Sequence, residues 1–360
     1  MKNITYLIGA GASFHSLPLI KTMNLRMRAY STFLKVQKEK NSIKHNFIDT
    51  FIKDFDYLIE IESERTSIDA YAKELYLRGE THSNLELVRL KTLLSSFFIF
   101  EQLAKPNDLI FLSDELDLSI LPHSRYALKD EIQKDIKRTV DKRYPTFWGT
   151  YLDIPTGRLP DNIKIISWNY DMQFESSYSS IKDYSLELTQ QNLQVYPSPL
   201  ITIDLAKSCI LKLNGTAGLY NDGTSKKLFN HFDFREHTLM TNLDYLIEPY
   251  AQNYHRVFSR PLFSFAWETD SIPVQTREWA KKIIEETEIL VIIGYSFPDF
   301  NRTVDRKIFS SIPKLSKVYY QIPKEEQSEL IDGLDSINPE LQKITKPINN
   351  LSTFYIPNEH

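Results

Sequence analysis

The stretch NITYLIGAGAS, Asn3 to Ser13, decides how the rest of the chain is read. Its first part, residues 3–8, is a short apolar run that stops at Gly9, the pattern of a buried strand. Its second part, Gly9-Ala10-Gly11-Ala12-Ser13, follows at once. Small residues after a buried strand let backbone N–H groups come close to a phosphate, and the start of a helix adds a favourable dipole. The stretch is not the full dehydrogenase fingerprint, because Phe14 stands where a third glycine belongs. It is not a P-loop either, because no Gly-Lys-Ser/Thr follows. The competing reading is a tight β-to-α turn.

Further along, the same arrangement recurs. Ile163–Ser167 reads as a strand followed by Trp168-Asn169-Tyr170-Asp171, and Cys209–Leu213 as another followed by Asn214-Gly215. A helix over about 276–286 leads into the apolar run 289–293, which ends at Gly294-Tyr295-Ser296. Residues 318–322 read as a last core strand. Buried strands alternating with helices predict an α/β fold, a Rossmann-like, doubly wound, mostly parallel sheet. Ligands of such sheets bind beyond the carboxyl ends of the strands, near the switch in strand order. Every polar cluster named here follows a strand directly, so one crevice is predicted to collect them all. Each has a plainer alternative: an Asx turn for Asn169–Asp171, an ordinary turn for Asn214-Gly215, and a loop opening the next helix for Gly294–Ser296.

From about residue 19 to 150 the signals are helical. Ser83-x-x-Glu86 reads as a capping box before an apolar run from Leu85 to Leu103. Ile132, Ile136, Val140, Tyr144 and Phe147 fall on one helix face. This region is read as a large helical insertion within a domain spanning 1–322, with 323–360 as a C-terminal extension.

The chain has 360 residues, 42% apolar and 25% charged, a length and composition that suit a packed globular core. A net charge of −4 argues against dedicated nucleic-acid binding. The single cysteine, Cys209, permits neither an internal disulfide nor a four-cysteine zinc site, so a reducing, cytoplasmic location and no metal are expected. The first residues are too short an apolar run for a signal peptide, and no stretch approaches the roughly 18 apolar residues of a membrane helix.

Together, Gly9–Ser13, Asn169-Tyr170-Asp171, Leu-Lys-Leu-Asn214-Gly215 and Gly294-Tyr295-Ser296, in this order, resemble the SIR2-like (sirtuin-like) family. Ser67-Ile68-Asp69-Ala70-Tyr71-Ala72-Lys73-Glu74-Leu75 is a weaker echo. More narrowly, the chain looks like the bacterial SIR2-like NADase subunits of anti-phage defence systems. The resemblance implies a Rossmann-like domain with NAD as substrate, held by residues 9–13, Asn169, Tyr170, Asp171, Gly215 and Gly294–Ser296. It also implies a sensor or regulatory protein partner, self-assembly into a homo-oligomer, or both.

Two departures bear on the chemistry. Deacetylase sirtuins carry a zinc module of paired Cys-x-x-Cys, which one cysteine cannot supply, so NAD⁺ hydrolysis is expected rather than deacetylation. Where the family motif reads Leu-His-Gly, this chain has Asn214. By resemblance, Asn169 positions the water or ribose, Asp171 helps hold the carboxamide, and the residue at 214 deprotonates the nucleophile. An amide takes no proton at neutral pH, but it orients water or hydroxyls. His231 and His15 stand as relocated bases, against the reading of each as a structural histidine. The competing functional readings are a catalytically silent NAD-binding or scaffolding subunit and a helical scaffold with an incidental Rossmann core.

Overall fold

A parallel sheet covered by helices on both faces needs strands that are nearly apolar rather than alternating, and the buried runs of this chain are of that kind, with polar exceptions such as Thr5, Ser167 and Lys212. The computed structural model describes residues 1–64, 67–104, 140–198, 201–221 and 243–359. Among them run nine strands: β1 (Ile4–Ile8), β2 (Ile163–Ser167), β3 (Val195–Tyr196), β4 (Cys209–Lys212), β5 (Gly215–Asn221), β6 (Arg260–Phe263), β7 (Ile289–Ile293), β8 (Lys317–Gln321) and β9 (Thr345–Ile348). Seven form one sheet in the order β3-β4-β2-β1-β7-β8-β9, with every neighbouring pair parallel. The fold is a Rossmann-like α/β sheet flanked by helices.

The chain divides into two compact units. Residues 1–13, 141–216 and 264–360 make the sheet unit. Successive strand residues point to opposite faces, and β1 supplies both. Leu7 joins Ile166, Leu211, Leu290 and Ile292 in a core closed by Ala280 and Ile284 of the helix Ser271–Glu286. Tyr6 faces the other way, edge-on to Phe147 and Tyr151 of the helix Arg143–Tyr151. Residues 14–140 and 217–263 make the second unit. Its described helices include Ile20–Glu39, Ile48–Glu64, Ile68–Arg78, Thr81–Leu103 and Leu243–Asn253. Its core is aromatic, with Tyr30 against Phe55 and Phe100, and encloses a bidentate Arg26–Glu101 ion pair.

The boundaries differ from those the sequence suggested. The helical unit begins at residue 14 and ends at 140, and it also takes in 217–263. The helix Arg143–Tyr151 belongs to the sheet unit, where Tyr144 and Phe147 are buried; Ile132 and Ile136 lie outside the described residues. Residues beyond 322 are no separate extension. Thr345–Ile348 pairs with β8 as the sheet's edge, where the missing N–H of Pro347 is tolerated. Ser83 and Glu86 form no capping box, because the helix already starts at Thr81, two residues after Gly79 ends the previous one at φ +67°. Glu86 instead accepts from the Tyr71 hydroxyl at 3.0 Å. Among the described residues, no helix is long and apolar enough to cross a membrane.

Candidate functional site

The chain leaves β1 and returns to one side of it as β2 and to the other as β7, so β1–β7 is the switch point in strand order. The ladders run level: Ile8 is in register with both Ser167 and Ile293. The strand ends are stitched together beyond that, by Trp168 N–H to Ile8 O (2.9 Å) and Leu213 N–H to Ser167 O (2.8 Å). The segments after β1, β2, β4 and β7 therefore meet at one edge of the sheet.

The closest approach is between the first and last of them. Gly11 N–H donates to Gly294 O at 2.9 Å. Gly294 holds φ +63°, and a Cβ there would sit 2.2 Å from the Ala12 nitrogen and 2.3 Å from the Gly11 carbonyl carbon. A Cβ on Gly9 would meet the Gly294 oxygen at 2.5 Å. These glycines are fixed by backbone packed on backbone. The loop's amides are largely spent in this packing: Gly9 donates to Ile293, Gly11 to Gly294 and Ala12 to Gly9. The expected phosphate cradle of free N–H groups is thus narrowed to the neighbourhood of Ala10, the loop's exposed point.

Three predicted site residues join in one buried hydrogen-bond network. The Ser13 hydroxyl donates to Asp171 Oδ2 at 2.8 Å and lies 2.8 Å from the Tyr144 hydroxyl. Asn169 Nδ2 donates to Gly9 O at 3.0 Å and reaches Ser13 Oγ at 3.4 Å. Asp171 Oδ1 accepts the Gln173 amide at 3.1 Å, which anchors the helix Gln173–Lys182. The Asx-turn reading is thus realised together with the clustering. Burial pushes the Asp171 carboxyl above the usual carboxylate range, and Lys212, the Gln173 amide, Ser13 and Asn169 pull it partly back. Beneath it, Lys212 Nζ donates to the Asp171 carbonyl and pairs with Glu175 at 2.5 Å, both side chains almost wholly buried.

Asn214 lies in the turn after β4, beside this network. Its Nδ2 lies 3.4 Å from the Tyr170 hydroxyl, and its Oδ1, on a residue only 4% exposed, has no hydrogen-bond partner among the described residues. A buried acceptor left open suits a ligand hydroxyl or a water. Gly215, at φ +76°, turns the chain into β5.

Tyr295 goes elsewhere. Its ring stacks on Trp168, 5.8 Å between centroids, and its hydroxyl donates to Asp305 at 2.6 Å while accepting from Asn301. Trp168 Nε1 also donates to Asp305, whose carboxyl burial raises to about 7. Of the 294–296 segment, Gly294 touches the glycine loop through its backbone, Tyr295 is a core residue and Ser296 is exposed.

Among the remaining sequence candidates, His231 lies outside the described residues, and His15 belongs to the helical unit, ring against Phe14. Ser67 caps the helix Ile68–Arg78 by accepting from Ala70 N–H. Among the described residues, no group of His, Cys, Asp and Glu is placed to hold a metal. A groove lined by Asn3, Thr5, Lys164, Lys282, Glu286 and Thr287 lies at the amino ends of β1 and β7, away from every cluster above. The sequence reading missed Asp141, Arg143, Tyr144, Gln173, Glu175 and Lys212. Only Lys212 carried a signal, as a lone cation inside the apolar run Cys209–Leu213. No protein-family model matches the sequence, and no curated protein matches it.

Proposed function

We propose that the protein is a SIR2-like NAD⁺ glycohydrolase acting as the effector of a bacterial anti-phage defence system. The observation that carries this reading is the joining of Ser13, Asn169 and Asp171 in one network at the switch point, with the open Asn214 acceptor beside it. These are four of the positions that the family resemblance names, and they come from segments up to 201 positions apart in the chain (13 to 214).

The substrate fits the donors and acceptors present. The open Asn214 Oδ1 can take a ribose hydroxyl, and the Asp171 carboxylate can accept from a carboxamide N–H. The C1′–N bond breaks with its electron pair leaving on nicotinamide, which departs neutral and needs no acid. Water then adds to C1′ and gives its proton to solvent. Asn169 holds the water or ribose in line, a positioning role. The oxocarbenium-like ribose is electrophilic enough that the lack of a base at 214 slows capture without abolishing it.

A second reading, a silent NAD-binding or scaffolding subunit, is favoured by Asn214 itself, since an amide removes no proton. Nicotinamide release and NAD⁺ binding by the purified protein separate the two. Slow turnover is expected. Asn169→Ala should lower it about 100-fold with binding retained, and Asn214→His should raise it by about 10²–10⁴. Binding without turnover in both the wild type and Asn214→His supports the silent subunit. No binding of any adenine dinucleotide defeats both readings.

A further inference from the structure

We infer that Arg143 is the positioning residue of the glycine loop, a clasp that closes on the two points where the helical unit is spliced into the sheet unit. The chain leaves the sheet unit after Ser13 and re-enters it at Asp141. Arg143 Nη2 donates to the carbonyls of Gly11 at 3.1 Å and Ala12 at 2.7 Å. The same guanidinium grips Asp141, through Nε to Oδ1 at 3.0 Å and Nη2 to Oδ2 at 2.7 Å. The next residue, Tyr144, holds Ser13. Three consecutive residues of the departing chain are thus held by two consecutive residues of the returning one.

The clasp is sealed and anchored. Arg143 is 2% exposed, and the Phe354 ring lies 5.3 Å from its guanidinium carbon and 4.9 Å from the Tyr144 ring. The Asp141 amide donates to Gln173 Oε1 at 2.8 Å, and the Gln173 amide caps Asp171, so the same chain of bonds reaches the Asn169–Asp171 segment. The planar fork of arginine holds the carboxylate bidentately through Nε and Nη2, and the two Nη2 protons are shared between that carboxylate and the two carbonyls; a lysine ammonium lacks that geometry. Arg143 and Tyr144 together thus tie the returning segment of chain to Gly11–Ser13 inside the sheet unit.

The inference rests on the proposed function only for its ligand, and backbone exchange tests the clasp without it. Hydrogen–deuterium exchange is followed in wild type, Arg143→Lys and the charge-balanced double variant Asp141→Asn/Arg143→Met, alongside NAD⁺ binding and the kcat-against-KM split. Exchange over 9–14 should rise at least about tenfold in the double variant and less in Arg143→Lys, with 289–293 unchanged. The KM for NAD⁺ should rise more than kcat falls. If the double variant does not fold, Arg143→Lys alone gives the reading. Exchange over 9–14 at the wild-type rate in a folded variant, or a uniform rise across 289–293 as well, overturns the clasp. Failure of NAD⁺ binding in the wild type, with the exchange pattern as expected, overturns the function and leaves the clasp standing.

Discussion

Two polar clusters look alike in the sequence and end in opposite roles. Trp168-Asn169-Tyr170-Asp171 follows β2, and Gly294-Tyr295-Ser296 follows β7. Both come directly after largely apolar strands at the same edge of the sheet. In the first, Asn169 and Asp171 turn toward Ser13 and the glycine loop. In the second, Tyr295 turns into the core to meet Asp305 and Trp168. The difference lies in the backbone. Gly294 at φ +63° and Phe297 at φ +52° fold the second segment back on itself, and the buried Phe297 ring, against Tyr295 and Phe309, offsets the strain of a left-handed aromatic residue. A polar cluster after a strand marks a ligand edge, but backbone handedness decides which side chains reach it.

The sharpest way to break this comparison is to remove the freedom of Gly294. Its contact with Ala12 leaves no room for a methyl group. Gly294→Ala should lie at the top of the range for single substitutions, about 4–5 kcal/mol, or prevent folding. Urea unfolding measures it, and a loss below about 1 kcal/mol would show that the glycine loop and Gly294 do not pack as described.

Next in size is the ion pair beneath the Asn169–Asp171 segment. Lys212→Met leaves Glu175 buried without its partner and should cost about 3–5 kcal/mol. Adding Glu175→Leu should restore most of that, because the uncompensated charge is then gone. Equal losses in the single and double variants would mean that packing, not charge, carries the effect.

The smallest effect concerns the Tyr295 side and depends on pH. The Asp305 carboxyl rises from its ordinary 3.8 to about 7 in the fold. A raised folded value means that the folded protein keeps a proton the unfolded chain has lost. The stability this contributes is complete below about pH 4 and fades as pH rises through about 7. At about 1.4 kcal/mol per unit, the span is a few kcal/mol at most. Wild-type melting temperature should fall relative to Asp305→Asn between pH 4.5 and 7.5. Parallel curves would show Asp305 to be ionised throughout.

Much of the sheet was legible from residues alone, because a strand buried on both faces is apolar at nearly every position, as in Ile289–Ile293 and, but for Thr5, Ile4–Ile8. The edge strand Thr345–Ile348 was not, since it is short, carries Lys346 and Pro347, and needs burial on neither face. Ser13, Asn169 and Asp171 were legible as a group through their shared place after strands. Arg143 and Tyr144 were not, because 131 positions separate Tyr144 from the Ser13 it binds and nothing local marks either as polar machinery.

By itself the sequence determined the parallel sheet, the edge where its polar clusters gather and the lack of a titratable group at 214, since apolar runs, strand-end punctuation and residue type are local properties. The tertiary structure alone decided that Tyr295 is core, that the glycine-loop amides are spent on the backbone, and that Arg143 clasps the splice. Those outcomes depend on which distant carbonyls and carboxylates the packed chain brings within hydrogen-bond reach.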